Sequence, residues 1–195
     1  RMRFSSPKVL LQHPLSAAER FAARNVTLPI PSNVLFTVEK NSISVTATNL
    51  EHAIKITLSG NGERDGRASV PAKVVSAFLQ SVSAPTVEIE ERQGAVIIKT
   101  GAQRTKINGL PPQEFPLMPQ IKASHSFVIE SAAFARGLAG ALPMVSSSEF
   151  KPELAGILFR VTPTSLVLVA TDTFRLVERT LNSKLPPSQR LDYYD

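Results

Sequence analysis

The sequence predicts an α+β protein: repeated βαβββ units, with helices on one face of antiparallel sheets. Three observations carry that reading. Slid by 123 residues, segments 28–58 and 151–181 share 9 identities in 31 gap-free pairs, where unrelated segments share about two. Within each repeat, one stretch of helical period precedes three short runs of strand composition, separated by turns. A proline-rich stretch, LPPQEFPLMPQIKA at 110–123, then divides the chain into 1–122 and 123–195.

The elements follow in order. Phe4-Ser5-Ser6 reads as a short strand. Ser6-Pro7 reads as an N-cap with proline at the first helical position. A helix through Val9, Leu10 and Phe21 is predicted, broken or kinked at Pro14. Strands are predicted at 34–38, 43–48 and 53–59, the first two joined by the turn Glu39-Lys40-Asn41-Ser42. The scheme then recurs. Ala68-Ser69-Val70 is a strand, and Pro71 opens a helix. Val74, Val75, Phe78 and Leu79 form its apolar face, and Lys73, Ser76 and Gln80 its polar face. Strands at 86–90, 95–99 and 105–109 follow, with a turn at Arg92-Gln93-Gly94. The first 122 residues thus hold two βαβββ units. The remainder shows the scheme once: a strand at 127–129, a helix at 130–142, and strands near 157–161, 166–171 and 174–180. Residues 110–123 hold four prolines and no period, and read as an extended connection.

Composition bounds the function. Apolar residues make up 43% of 195, enough for a buried core. No run approaches the roughly 18 apolar residues of a membrane span. The start, RMRFSSPKVLL, lacks an apolar core and cleavage site for export, so a cytoplasmic location is expected. With no cysteine, disulfides and thiolate chemistry are excluded. Net charge is +6, and residues 1–122 hold 15 Lys or Arg against 9 Asp or Glu, a surplus that suits a polyanion. Aromatic residues are only 6% and Trp is absent, which argues against stacking single-stranded bases. His13, His52 and His125 share no metal-binding spacing. No P-loop, HExxH, GxSxG or GxGxxG is present. Neither a cofactor nor catalysis is expected.

The stretch LVLVATDTFRL at 166–176 repeats the shape of ISVTATNLEHA at 43–53: an apolar run, Ala-Thr, then Asp or Asn. Asp172 is predicted to turn the chain by accepting backbone N–H groups. That would leave Arg175 beside exposed Leu154, Phe174 and Leu176.

The segments TLPIPSNVLF, VTATNLE, VPAKVVSAFL and LPPQEFP, in this order on a double βαβββ repeat, resemble the first domain of the bacterial DNA polymerase sliding-clamp family. Phe127 to Leu142 and VATDTFRL resemble the first half of its second domain. The resemblance covers nearly the whole chain. It implies the DNA-clamp fold, and a ring of two chains with three such domains each, of which this sequence is a part. Helices would line the hole and sheets the rim. Duplex DNA would be held through phosphates, without base readout. The implied DNA contacts are Arg20, Arg24, Lys73, Gln80, Arg136 and Lys151. The family often places arginine where Asn25 stands, and Arg-Pro where Lys151-Pro152 stands. A pocket of Leu154, Thr171, Thr173, Phe174, Arg175 and Leu176 would bind a linear peptide of DNA polymerase III and clamp-loader subunits. Many clamps carry Gly-His in place of Thr173-Phe174. Arg104, Thr105, Lys106 and Ile107 would form the dimer edge by strand addition. The competing reading is a basic, non-enzymatic scaffold that binds duplex nucleic acid or proteins without encircling DNA.

Overall fold

The computed structural model describes residues 1–22, 32–40, 42–60, 62–118, 128–148, 150–162 and 164–182. The chain forms two compact units, Arg1–Pro119 and Gln120–Asp195.

In the first unit, β1 (Arg3–Pro7) leads into α1 (Lys8–Phe21) and then β2 (Asn33–Glu39), β3 (Ser42–Thr48) and β4 (Ala53–Ser59). A short β5 (Gly62–Arg64), which sequence pattern did not reveal, precedes β6 (Gly66–Pro71) and α2 (Ala72–Ser81). The hairpins of β7 (Thr86–Arg92), β8 (Ala95–Thr100) and β9 (Gln103–Asn108) close the scheme. The two sheets exchange their first strands. β1 pairs with β7, in a sheet ordered β5-β1-β7-β8-β9, and β6 pairs with β2, in a sheet ordered β4-β3-β2-β6. Neither repeat is complete alone, so both fold around one core. Phe4 of β1 and Phe36 of β2, fully buried with ring centroids 5.9 Å apart, join the two sheets across it.

Both helices begin where a strand ends. The N-cap residues are Pro7 and Pro71, which belong to the strands and carry no side-chain cap, so Ser6 is not the cap. Proline suits this junction, because its fixed φ fits both extended chain and helix entry and no N–H is left over. α1 runs unbroken through Pro14, against expectation. Pro14 lies on the buried stripe Leu11, Pro14, Leu15 and Ala18, so packing offsets the lost helical hydrogen bond. Val9 and Leu10, through which the helix is predicted, are exposed outside that stripe. On α2, Ser76 is buried and Val74 exposed, the reverse of the prediction. Lys8 ties the helices end to end. Its N–H donates to Pro85 O at 2.8 Å and its ammonium to Val82 O at 2.5 Å, a cation at the C-terminal end of α2.

The segment after β9 is not a free connection. Leu110 bridges to Ser69 of β6, Pro112–Glu114 form a 3-10 turn, and Phe115 is buried to 2% exposure. Gly109 makes the crossing possible: a Cβ there would lie 2.4 Å from Ser69 O. Proline and missing periodicity signal irregular backbone, not solvation, and Phe115 decides the matter.

In the second unit, α3 (Ser131–Ala141) leads through a 3-10 turn at Leu142–Met144 to β10 (Leu158–Val161), β11 (Ser165–Thr171) and β12 (Leu176–Asn182). These strands form a sheet ordered β10-β11-β12. β11 and β12 sit 123 residues after β3 and β4, end for end. The predicted strand at 127–129 is not assigned over residues 128 and 129, and Phe127 lies outside the described residues. In the first unit that strand pairs with β7 of the following repeat, and the described part of the second unit has no counterpart of β7. Glu130 caps α3, accepting from Ala132 N at 2.8 Å and Ala133 N at 2.6 Å. Those two N–H groups hold its carboxyl below the usual carboxylate range.

Candidate functional site

The end of β11 is a hydrogen-bonded turn. Thr171 Oγ1 donates to Arg175 O at 2.7 Å and accepts from Thr173 N at 3.1 Å. Asp172 Oδ1 accepts from Phe174 N at 3.0 Å and Arg175 N at 2.8 Å. The Arg175 guanidinium donates to Asp172 Oδ2 through Nε at 3.1 Å and Nη2 at 2.9 Å, and reaches Pro143 O at 3.4 Å. The Arg175 backbone N–H first, then its guanidinium and the Phe174 N–H, lower the Asp172 carboxyl to about 2. Thr173 takes φ 78°, an unusual conformation for a β-branched residue, held by bonds on both sides of it.

The turn borders a cleft of 460 Å³ lined by Thr173, Phe174, Arg175 and the segment around Ser146, Ser147, Ser148, Phe150 and Lys151. Phe174 is 93% exposed and Phe150 96%, so Phe174 belongs to no core. Of the six predicted pocket residues, Thr173, Phe174 and Arg175 line this cleft. Thr171 holds the turn from behind. Leu154 is half-buried, and its carbonyl accepts from Ser146 N at 2.9 Å. Leu176, at 67% exposure, starts β12 outside the cleft. Lys151, predicted beside DNA, also lines the cleft. Sequence reading missed Phe150 and the Pro143 carbonyl. A lone phenylalanine in the polar loop SSSEFK was the available signal for the first, and a main-chain acceptor leaves none.

Arg20 and Lys73 meet in a cleft of 540 Å³ between the end of α1 and the start of α2. Gln80 lies at the far end of α2, donating to Ser76 Oγ at 3.3 Å. Arg136 is exposed on α3, 3.9 Å from the Glu130 carboxylate. Arg24 lies outside the described residues. β9 is an edge strand paired with β8. Arg104 and Lys106 are exposed and Thr105 is half-buried. Ile107 points into the core at 6% exposure, so a strand added at this edge would meet its backbone, not its side chain. Alternation along a strand imposes that split.

Strand-exchanged βαβββ repeats, with α1 and α2 packed against one core, define a DNA-clamp fold. The chain belongs to the family of the DNA polymerase III beta subunit, whose N-terminal domain model matches residues 2–119. It is 28% identical over 192 residues to the beta sliding clamp of Pseudomonas aeruginosa, covering 97% of this chain and 52% of that protein. It is likewise 28% identical over 178 residues to that of Synechococcus elongatus, covering 89% and 48%. A crystal structure of the P. aeruginosa subunit matches with TM-score 0.87 and 27% identity, over 96% of this chain and 51% of that one. A sliding clamp from Bartonella birtlesii bound to griselimycin matches with TM-score 0.86 and 25% identity, over 96% and 51%. The chain therefore spans about half the length of the relatives it matches.

Proposed function

We propose that the chain serves as a sliding clamp, a non-catalytic ring that encircles duplex DNA in the cytoplasm and tethers DNA polymerase III. Membership of the beta-subunit family over residues 2–119 carries this reading. In it, residues 1–122 are one clamp domain and 123–195 the first half of the next. α1 and α2 face the duplex, with Arg20 and Lys73 meeting phosphate from one cleft. Gln80 and Arg24 add to that surface, and Arg136 on α3 supplies a further cation for phosphate. The open edge of β9 pairs with a second copy, and the cleft at the Asp172 turn receives a linear peptide from polymerase and clamp-loader subunits.

Topology tests it. A surface binder making about six phosphate contacts loses roughly a thousandfold in affinity from about 50 to about 200 mM salt. A closed ring leaves a circle only by opening an interface. The full-length protein, loaded on nicked circular DNA, should survive a salt wash and be released by a single cut that lets it slide off the end. Arg20→Ala with Lys73→Ala should slow loading and spare retention. Equal retention on circular and linear DNA, lost from both in salt, would favour the non-encircling scaffold.

A further inference from the structure

Alternation along β6 and β9 sends Ala68, Val70 and Ile107 into the core shared with the helices. Arg67, Ser69, Lys106 and Asn108 therefore belong to the sheet face away from α1 and α2. There the first unit carries a cleft of 820 Å³, where β6, β9, the turn at Gln93-Gly94 and the crossing at 109–112 meet. Hydrogen bonds fix its frame. Gly109 N donates to Gly94 O at 2.9 Å, Leu110 N to Ser69 O at 3.0 Å, and Gly94 N to Glu91 Oε1 at 3.0 Å. Half-buried Leu110 and Pro112 give the cleft an apolar wall.

The rest of the lining is rich in donors. Among the described residues its charged members are Arg1, Arg67, Glu91 and Lys106. Glu91 is engaged, by Gly94 N and by the Arg1 amino group at 3.6 Å. Arg67 and Lys106 are exposed, and neither side chain has a partner among the described residues. Ser69, at 2% exposure, accepts from Asn33 Nδ2 at 3.0 Å, which leaves its hydroxyl proton for a further acceptor. Gln93, Asn108 and Gln113 add three amides. Unpaired cations with a spare hydroxyl favour an anion, yet the volume is that of a site for an organic ligand, far beyond an inorganic ion. Amide side chains beside an apolar wall suit the polar edge and flat face of a nucleobase.

We infer that this cleft binds a mononucleotide, with its phosphates on Arg67 and Lys106 and its base against Leu110 and Pro112, within reach of the amides. The site lies on the face away from the helices, so the phosphates of a duplex held at α1 and α2 are not its ligand, and it needs no ring to form.

The test is equilibrium dialysis of the full-length protein against ADP, adenosine and pyrophosphate, without added metal. ADP should bind at least about tenfold more tightly than either of its parts, because the two contacts are linked. Arg67→Ala and Lys106→Ala should each weaken ADP about tenfold by removing a charge-assisted hydrogen bond, and leave adenosine unchanged. Arg67→Lys should keep most of the affinity. Both side chains are exposed, and unchanged melting and sedimentation would show that fold and assembly are intact. Arg67 lies on β6, off the β9 edge, so its variant still decides the matter if Lys106→Ala alters assembly. No binding of ADP at millimolar concentration would overturn the inference. So would full affinity in both alanine variants, pyrophosphate binding as tightly as ADP, or displacement of ADP by a short duplex, which would place the nucleotide on the DNA surface.

Discussion

At the end of β3, Thr48 Oγ1 donates to His52 O at 2.8 Å and accepts from Leu50 N at 3.0 Å. Asn49 Oδ1 accepts from Glu51 N and His52 N. The turn at the end of β11 repeats these bonds at Thr171, Asp172, Phe174 and Arg175. Leu50 and Thr173, 123 residues apart, both take φ 78°. Threonine and a short side-chain carbonyl or carboxylate supply the shared geometry. The copies differ in what the second oxygen does. Asp172 Oδ2 binds Arg175, while Asn49 has an amide nitrogen at that place and His52 stands where Arg175 does. The same backbone device thus makes a plain turn once, and once a turn locked by an ion pair beside a cleft.

The largest expected contrast lies beneath the turns, at another pair of equivalent positions. Gly137 of α3 sits against β11 and β12, and a Cβ there would lie 2.8 Å from Leu168 Cδ1 and 2.9 Å from Leu181 Cδ1. Its counterpart is Pro14, buried in α1. Gly137→Ala should destabilise the protein by about 1–3 kcal/mol through overpacking, partly relieved because both atoms end flexible side chains. Pro14→Ala should act oppositely. Proline in a helix interior costs about 3 kcal/mol, and the lost ring carbons give back roughly 0.8 kcal/mol each. A net gain of about 1 kcal/mol is expected. Equal signs in denaturant melts would break the equivalence of α1 and α3.

A smaller contrast separates the turns themselves. Thr48 is buried and Thr171 half-exposed. Thr48→Val should cost about 1–2 kcal/mol and Thr171→Val about 0.5–1, because water can replace the second set of bonds. A larger loss at Thr171 would mean that the ion pair, not the shared bonds, holds that turn.

The smallest effect is on acid sensitivity. The folded-state carboxyl of Asp172 lies near 2, below its ordinary 3.8. A depressed folded pKa stabilises fully above the ordinary value, and that contribution disappears as pH falls through the folded one. The Asp172 turn should therefore loosen between about pH 4 and pH 2, while the Asn49 turn, with no titratable acceptor, should not. Amide chemical shifts of Phe174 and Glu51 report the two. Asp172→Asn should abolish the difference. An acid response in both turns would locate its origin elsewhere.

The duplication, the α+β class and the paired turns were legible in the sequence because each rests on local chemistry repeated at a fixed interval. Nine identities in 31 pairs, and Ala-Thr before Asn or Asp, need no knowledge of distant contacts. The prediction that Asp172 accepts backbone N–H groups concerns residues two and three steps away. Long-range packing decided the rest. Strand exchange between β1 and β6 depends on which edges meet, and hydrophobic period is silent on that. Pro14 stays helical because burial of the whole stripe Leu11, Pro14, Leu15 and Ala18 outweighs a local rule. Phe115 and Ile107 look like connector and edge by neighbourhood, yet the core takes both. Lys151 came to the cleft through the turn at Pro152–Leu154 and the Ser146–Leu154 bond. Sequence determines what a short stretch can form, whereas burial and charge pairing depend on which distant stretches it faces.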